Sequence, residues 1–271
     1  MMKMCHQDLK KVWIVVCILS CAIFAQAQVD ESKLTWKPDR GITLNGATEY
    51  MIVEDADDFN LDAFTVEAWV NLRDNGGRQQ IAGRGSAGQY FTLYADNGDG
   101  RFLVEDAEVG HESARTAIFP TDTWVHIAGI YDGAFVQLYY NGILVDETEW
   151  AATTRHGEDP LMIGALEPGQ RHVNGMLENL RIWNRALTED ELTQALTTKP
   201  ADENIDQMKS DGLLAYWALR SVQNGTVGDL AGGHDAAMEA YTLDQSNLTF
   251  VPQNGISFDG QSTYAKVEDG T

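Results

Sequence analysis

A chain of 271 residues has room for one large domain, or one domain and part of another. It carries 19 Lys and Arg against 41 Asp and Glu, a formal net charge of -22. Such a charge repels phosphate backbones and anionic lipid surfaces, which excludes nucleic-acid binding and electrostatic membrane docking, while a hydrophobic fraction of 44% supports a packed core.

The N-terminus combines Lys3, Lys10 and Lys11, an apolar run from Val12 to Phe24, and the small-x-small triplet Ala25-Gln26-Ala27. This order predicts a signal peptide over residues 1–27; the apolar run is shorter than the ~20 residues a permanent membrane helix needs. Ile18-Leu19-Ser20-Cys21 is a rival processing site that would leave a lipid on Cys21. Cys5, Cys17 and Cys21 all fall in this segment. The exported chain is then expected to have no disulfide, thiolate nucleophile or thiolate metal site. Export places it in the medium or at the cell surface.

From Gly41 the chain reads as short strands broken by turn signals. Phe64-Thr-Val-Glu-Ala-Trp-Val70 alternates, with Phe64, Val66, Ala68 and Val70 on one face and Thr65, Glu67 and Trp69 on the other. Tyr90 to Ala95 and Phe102 to Glu105 follow, then Trp124 to Tyr131, apolar on both faces as a central strand would be. Phe135 to Tyr140 and Ile143 to Val145 flank Asn141-Gly142, a strong hairpin signal. Met176 to Trp183 is a further strand. Thr188-Glu-Asp-Glu191 fits a capping box ahead of a short helix with Leu192, Ala195 and Leu196 on its apolar stripe. Pro200 stops that helix, and residues 197–210 read as a linker.

An internal repeat follows. Gly41-Ile-Thr-Leu-Asn-Gly-Ala-Thr-Glu-Tyr-Met-Ile-Val-Glu-Asp55 recurs as Gly255-Ile-Ser-Phe-Asp-Gly-Gln-Ser-Thr-Tyr-Ala-Lys-Val-Glu-Asp269. Two homologous units are expected, the second incomplete, over 211–271, and either loosely packed or clinging to the first. The remainder of a longer chain would then be missing.

These motifs carry a resemblance. Gly41-Ile-Thr-Leu-Asn-Gly with Tyr50, Phe64 to Val70, Trp124-Val-His-Ile-Ala-Gly-Ile-Tyr-Asp-Gly, Leu138-Tyr-Tyr-Asn-Gly, and Asn174-Gly-Met-Leu-Glu-Asn-Leu-Arg-Ile-Trp-Asn-Arg-Ala-Leu resemble a laminin-G-like domain of the concanavalin A-like type found in exported bacterial proteins. Gly212-Leu-Leu-Ala-Tyr-Trp-Ala-Leu219 resembles the opening strand of a second copy. The resemblance implies an all-β fold, a two-sheet antiparallel jelly-roll sandwich over residues 28–196, with one short helix after its last strand.

That architecture hosts lectins, adhesion modules, glycosidases and spacers, so function has to come from sites. Glu54-Asp55-Ala56-Asp57 and Glu105-Asp106-Ala107-Glu108 are the nearest approach to a glycosidase carboxylate pair, but both run into loops and read as solvated turns. His111-Glu112 lacks the second His of a zinc motif, because position 115 is Arg. His126 reads as a satisfied core histidine. By alternation Glu178 shares a strand face with Leu180 and Ile182, where a carboxylate needs a partner. The resemblance implies calcium there, with Glu178 and Asn45 as oxygen ligands, against a plain hydrogen-bonded Glu178. Trp69, beside Glu67 on the polar face, is a candidate for stacking on a sugar ring, against a Trp covered by neighbouring chain; Trp36, Trp150 and Tyr94 are equally ambiguous. The expectation is a secreted non-catalytic module that binds carbohydrate or a cell-surface ligand within a larger adhesin-like protein. The alternatives are a structural spacer without a ligand and, third, a glycoside hydrolase of the same fold.

Overall fold

The computed structural model describes residues 37–240, apart from 39, 86–89, 109, 117, 152 and 199–202. The expected signal peptide, the three cysteines, Trp36, Pro200 and the repeated motif at 255–269 lie outside the described residues.

Two antiparallel sheets face each other. The first runs β1 (Ile42–Asn45), β12 (Asn174–Trp183), β3 (Phe64–Leu72), β8 (Val125–Tyr131), β9 (Phe135–Tyr140), β10 (Ile143–Glu149), with β13 (Leu213–Trp217) also paired to β12. The second runs β14 (Thr226–Val227), β15 (Ala236–Glu239), β2 (Tyr50–Val53), β11 (Leu161–Ile163), β4 (Arg78–Arg84), β5 (Phe91–Asp96), β6 (Asp99–Asp106), β7 (Gly110–Thr116). This is the jelly-roll sandwich the motifs imply. Among the described residues, no helix is long and apolar enough to cross a membrane.

The inner faces follow the alternation of the sequence. Phe64, Val66, Ala68 and Val70 of β3 all enter the core, where Phe64 meets Phe91 and Phe102 at ring-centroid distances of 5.0 and 5.9 Å. The sheets approach closely at Gly129, where a Cβ would lie 2.2 Å from the Phe102 ring. Asn141 and Gly142 both adopt positive φ, +47° and +76°, the turn that matches the twist of the flanking strands β9 and β10.

Helix α1 (Glu189–Thr197) starts where expected. Thr188 accepts from the Glu191 amide at 3.3 Å, and the Glu191 carboxylate accepts from the Thr188 amide at 2.8 Å. Leu192 then joins Ala128, Ile130, Tyr139, Trp183 and Tyr216 in a second apolar cluster, on the outer face of the first sheet. A second helix, α2 (Ile205–Ser210), lies in the expected linker.

Helix α1 follows β12, the last strand of residues 28–196, as expected, but the sandwich continues beyond it. Residues after Gly212, expected to open a second unit that is either loosely packed or clinging to the first, add to both sheets of the first: β13 lies along β12, and β15 along β2. Apolar content drives this. Trp217, Leu219, Val227, Ala236 and Met238 are all buried in the main core.

Candidate functional site

Period-two alternation puts Thr65, Glu67 and Trp69 on the outer face of the first sheet. The structure keeps them there but covers them. Glu67 Oε2 lies 2.9 Å from His126 Nε2, and Trp183 Nε1 donates to Glu67 Oε1 at 2.9 Å. Arg181 Nη1 stands 3.5 Å from Glu67, pairs with Glu203, and lies 4.5 Å over the Tyr216 ring. Burial pushes the Glu67 carboxyl up, but the His126 hydrogen bond and the Arg181 charge outweigh it and hold the group at about 2. Trp69 is 1% exposed and sits edge-on to His126 at 5.5 Å. Neither Trp69 nor Glu67 presents a surface to a sugar, so the stacking expectation is corrected: this face is internal. Trp150 packs against the core, and Tyr94 is 2% exposed beneath Arg78.

The Asn45–Glu178 pair is also separated. Asn45 is the register partner of Asn174, four residues from Glu178 along β12, or roughly 13 Å at the usual strand rise. Two oxygens on one calcium each lie about 2.3–2.6 Å from it, far closer together than these two backbone positions. Asn45 Oδ1 instead accepts from the amides of Ala47, Thr48 and Glu49. Glu178 binds the Arg220 guanidinium at 2.5 Å. Its face differs from the alternation as well. Register shifts between Glu178 and Arg181, and Asn179 takes φ +51°, so the extra residue turns Glu178 outward opposite Trp69. Among the described residues, no group of three or more His, Cys, Asp or Glu side chains converges as a metal site.

The acidic stretches serve turns. Asp106 accepts from the Glu108 and Thr153 amides at 2.7 and 3.0 Å, and Glu105 pairs with Arg155 at 3.0 Å. Asp57 is exposed and lies 3.7 Å from Arg84.

A cleft of about 330 Å³ does open at one end of the sandwich, and its walls are polar. Three loops build it: Asn45-Gly46-Ala47 after β1, Asp74 to Gln79 leading into β4, and Gly169 to Asn174 leading into β12. Gly46, at φ +74°, lets its turn rest on Asn174, because a Cβ there would meet Asn174 Cβ at 2.7 Å. Gln79 ties two loops together, donating to Asp74 O at 3.0 Å and accepting from the Asn174 amide at 2.8 Å. Asn174 Nδ2 donates to Asp74. His172 Nε2 accepts from the Gly169 amide at 3.0 Å, which leaves the proton on Nδ1 to face Glu49 O at 3.3 Å.

Two guanidiniums stand over this frame. Arg78 pairs with Asp96 at 3.1 Å and lies 4.8 Å from the Tyr94 ring centre. Arg171 is held at φ +55° and its carbonyl accepts from the Gln80 amide at 2.9 Å. Burial and the neighbouring Arg78 charge both pull the Arg171 pKa down. The cleft therefore offers fixed amides, a carboxylate and two cations, a set able to hydrogen-bond a polyhydroxylated ligand. Of these residues sequence reasoning singled out Asn45 alone, and as a calcium ligand. The local signals were the turn formers Asn45-Gly46, Asp74-Asn-Gly-Gly, Pro168-Gly169 and Asn174-Gly175, and nothing in the chain order says that the loops meet.

The comparisons agree with this fold. Among curated proteins none matches the chain. A candidate carbohydrate-binding protein from Bacteroides ovatus superposes with a TM-score of 0.56 at 22% identity, over 73% of this chain; the chain spans only 58% of that protein's length. The CBM40 domain of a Ruminococcus gnavus IT-sialidase, bound to α2,3-sialyllactose, superposes with a TM-score of 0.51 at 18% identity, over 59% of this chain and 97% of that one. At these identities the likeness is one of fold. Residues 45–193, over half of the chain, match the laminin-G-type model described as the concanavalin A-like lectin/glucanases superfamily, and to that family the chain belongs.

Proposed function

We propose that the chain is a non-catalytic glycan-binding module, exported to the medium or the cell surface, with its ligand in the cleft between Asn45, Asp74, Arg78, Arg171 and Asn174. The observation that carries this reading is the cleft itself, an open polar site whose walls are cross-tied before any ligand arrives. Cross-tied walls reduce the ordering cost of binding. Export rests on the residue order of positions 1–27 alone.

The test is calorimetry against a panel of neutral and acidic glycans, with sialyllactose included because a protein of like fold binds it. Arg171→Ala and Arg78→Ala should each weaken binding by about tenfold or more, the loss of one charge-assisted hydrogen bond of ~1.5–3 kcal/mol. Their folding should change little, since both side chains reach the surface. A panel with no saturable binder would favour the spacer reading, in which the sandwich only separates other domains.

A further inference from the structure

Residues 212–239 have two claims on them. By sequence they open a second unit, ahead of Gly255-Ile-Ser-Phe-Asp-Gly, which repeats Gly41-Ile-Thr-Leu-Asn-Gly. By position they open the first. β13 pairs with β12 from Trp183 to Leu180, and β1 pairs with the same edge of β12 from Leu177 to Asn174. The Ile42 amide donates to Leu219 O at 2.8 Å and closes the gap between them. β13 and β1 thus run in line as one interrupted strand, in the order that Leu213–Trp217 and Ile256–Asp259 have along the chain.

The segment is also organised from within. Asp229 accepts from the amides of Tyr216, Ala231 and His234 at 2.8, 2.9 and 3.2 Å, and Trp217 Nε1 donates to His234 O at 2.8 Å. Its grip on the sandwich is made of β13 on β12, β15 on β2, Arg220 on Glu178, Tyr216 on Asn179 at 2.9 Å and His234 on Asp58 at 3.1 Å. The connection that precedes it holds on separately, through Glu203 on Arg181 and through Ile205 and Met208 against the second apolar cluster. In that connection α2 contributes no buried residue.

We propose that residues 212–239 are an exchangeable strand segment, and that the sandwich accepts this segment from a second copy of the chain as it does from its own. Each copy then completes the other in a strand-exchanged dimer. Because exchange keeps the contacts of residues 212–239 and alters only those of the connection, concentration shifts the balance between the forms, the tether favouring the monomer through its effective concentration. The dimer is independent of the glycan reading: it needs no ligand and leaves the cleft loops unaltered.

The test uses the full chain, unfolded in denaturant and refolded at low-micromolar and at sub-millimolar concentration. Size exclusion with light scattering then reads the mass. The expected result is a dimer fraction that rises with refolding concentration and persists on dilution of the folded protein. A synthetic peptide of residues 211–240, present in excess during refolding, should suppress that dimer and be retained on the monomer. Monomer at both concentrations, or a dimer that the peptide leaves unchanged, would overturn the proposal.

Discussion

Glu67 occupies a strand position that alternation assigns to solvent, yet its work is structural. Its carboxylate holds His126, Trp183 and Arg181 together beneath α1 and the chain around Glu203. Removing one partner of such a buried pair costs about 3–5 kcal/mol, so Glu67→Ala should lose that much in denaturant unfolding while glycan affinity stays the same; a loss below the usual surface value would contradict the role. The acid side follows from the same group. Its folded value of about 2 lies below the ordinary 4.5, so its contribution is complete above 4.5 and is lost as pH falls towards 2. His234 behaves in the opposite sense. The Asp229 carboxylate 3.4 Å from its Nδ1, aided by Asp58, raises its pKa against the effect of burial. Its contribution is fully present below the unfolded value of about 6.5 and fades as pH rises through the folded one. The melting temperature of His234→Gln should therefore fall below that of the parent chain by more at mildly acid than at mildly alkaline pH. An equal gap at both would remove His234 from the account.

Strand by strand, the period-two pattern was readable because one face of each strand is apolar and must turn inward. Phe64 to Val70 shows it, and every inward residue named from the pattern reaches the core. β12 shows where the pattern fails. One extra residue near Asn179 turns Glu178 to the opposite face, and no local signal marks a bulge in Met176 to Trp183. The carboxylate did need a partner, as its burial implied, but the partner is Arg220, forty-two residues on. Arg220→Ala should cost about 1–3 kcal/mol, less than a fully buried pair because Arg220 is partly exposed, and should loosen β13 on β12 in amide hydrogen exchange. Unchanged protection of Leu213 to Trp217 would argue against the pair as a clasp. The capping box of α1 was legible in full, since its partners lie three residues apart, and Thr188→Ala should cost about 1 kcal/mol by thermal or denaturant unfolding.

Across the whole molecule, the sequence conveys sheets better than sites. The sandwich follows from alternation, turn residues and ordered motifs, all of them local. The cleft follows from three loops brought together by β1, β4 and β12, segments about thirty to a hundred and thirty residues apart in the chain, so its members carry no common spacing. Trp69, which looked like part of a binding face, serves instead to seal the outer side of the first sheet. The placement of 213–239 is a further long-range outcome: a repeat announces a second unit, but the apolar side chains settle on the nearest open sheet edges. The most direct test of the central claim is amide chemical-shift mapping of the full chain by NMR, with sialyllactose and then the strongest binder of the glycan panel. The account predicts saturable shifts concentrated in Asn45–Thr48, Asp74–Gln79 and Gly169–Asn174. Shifts centred elsewhere, or none with any glycan, would contradict it.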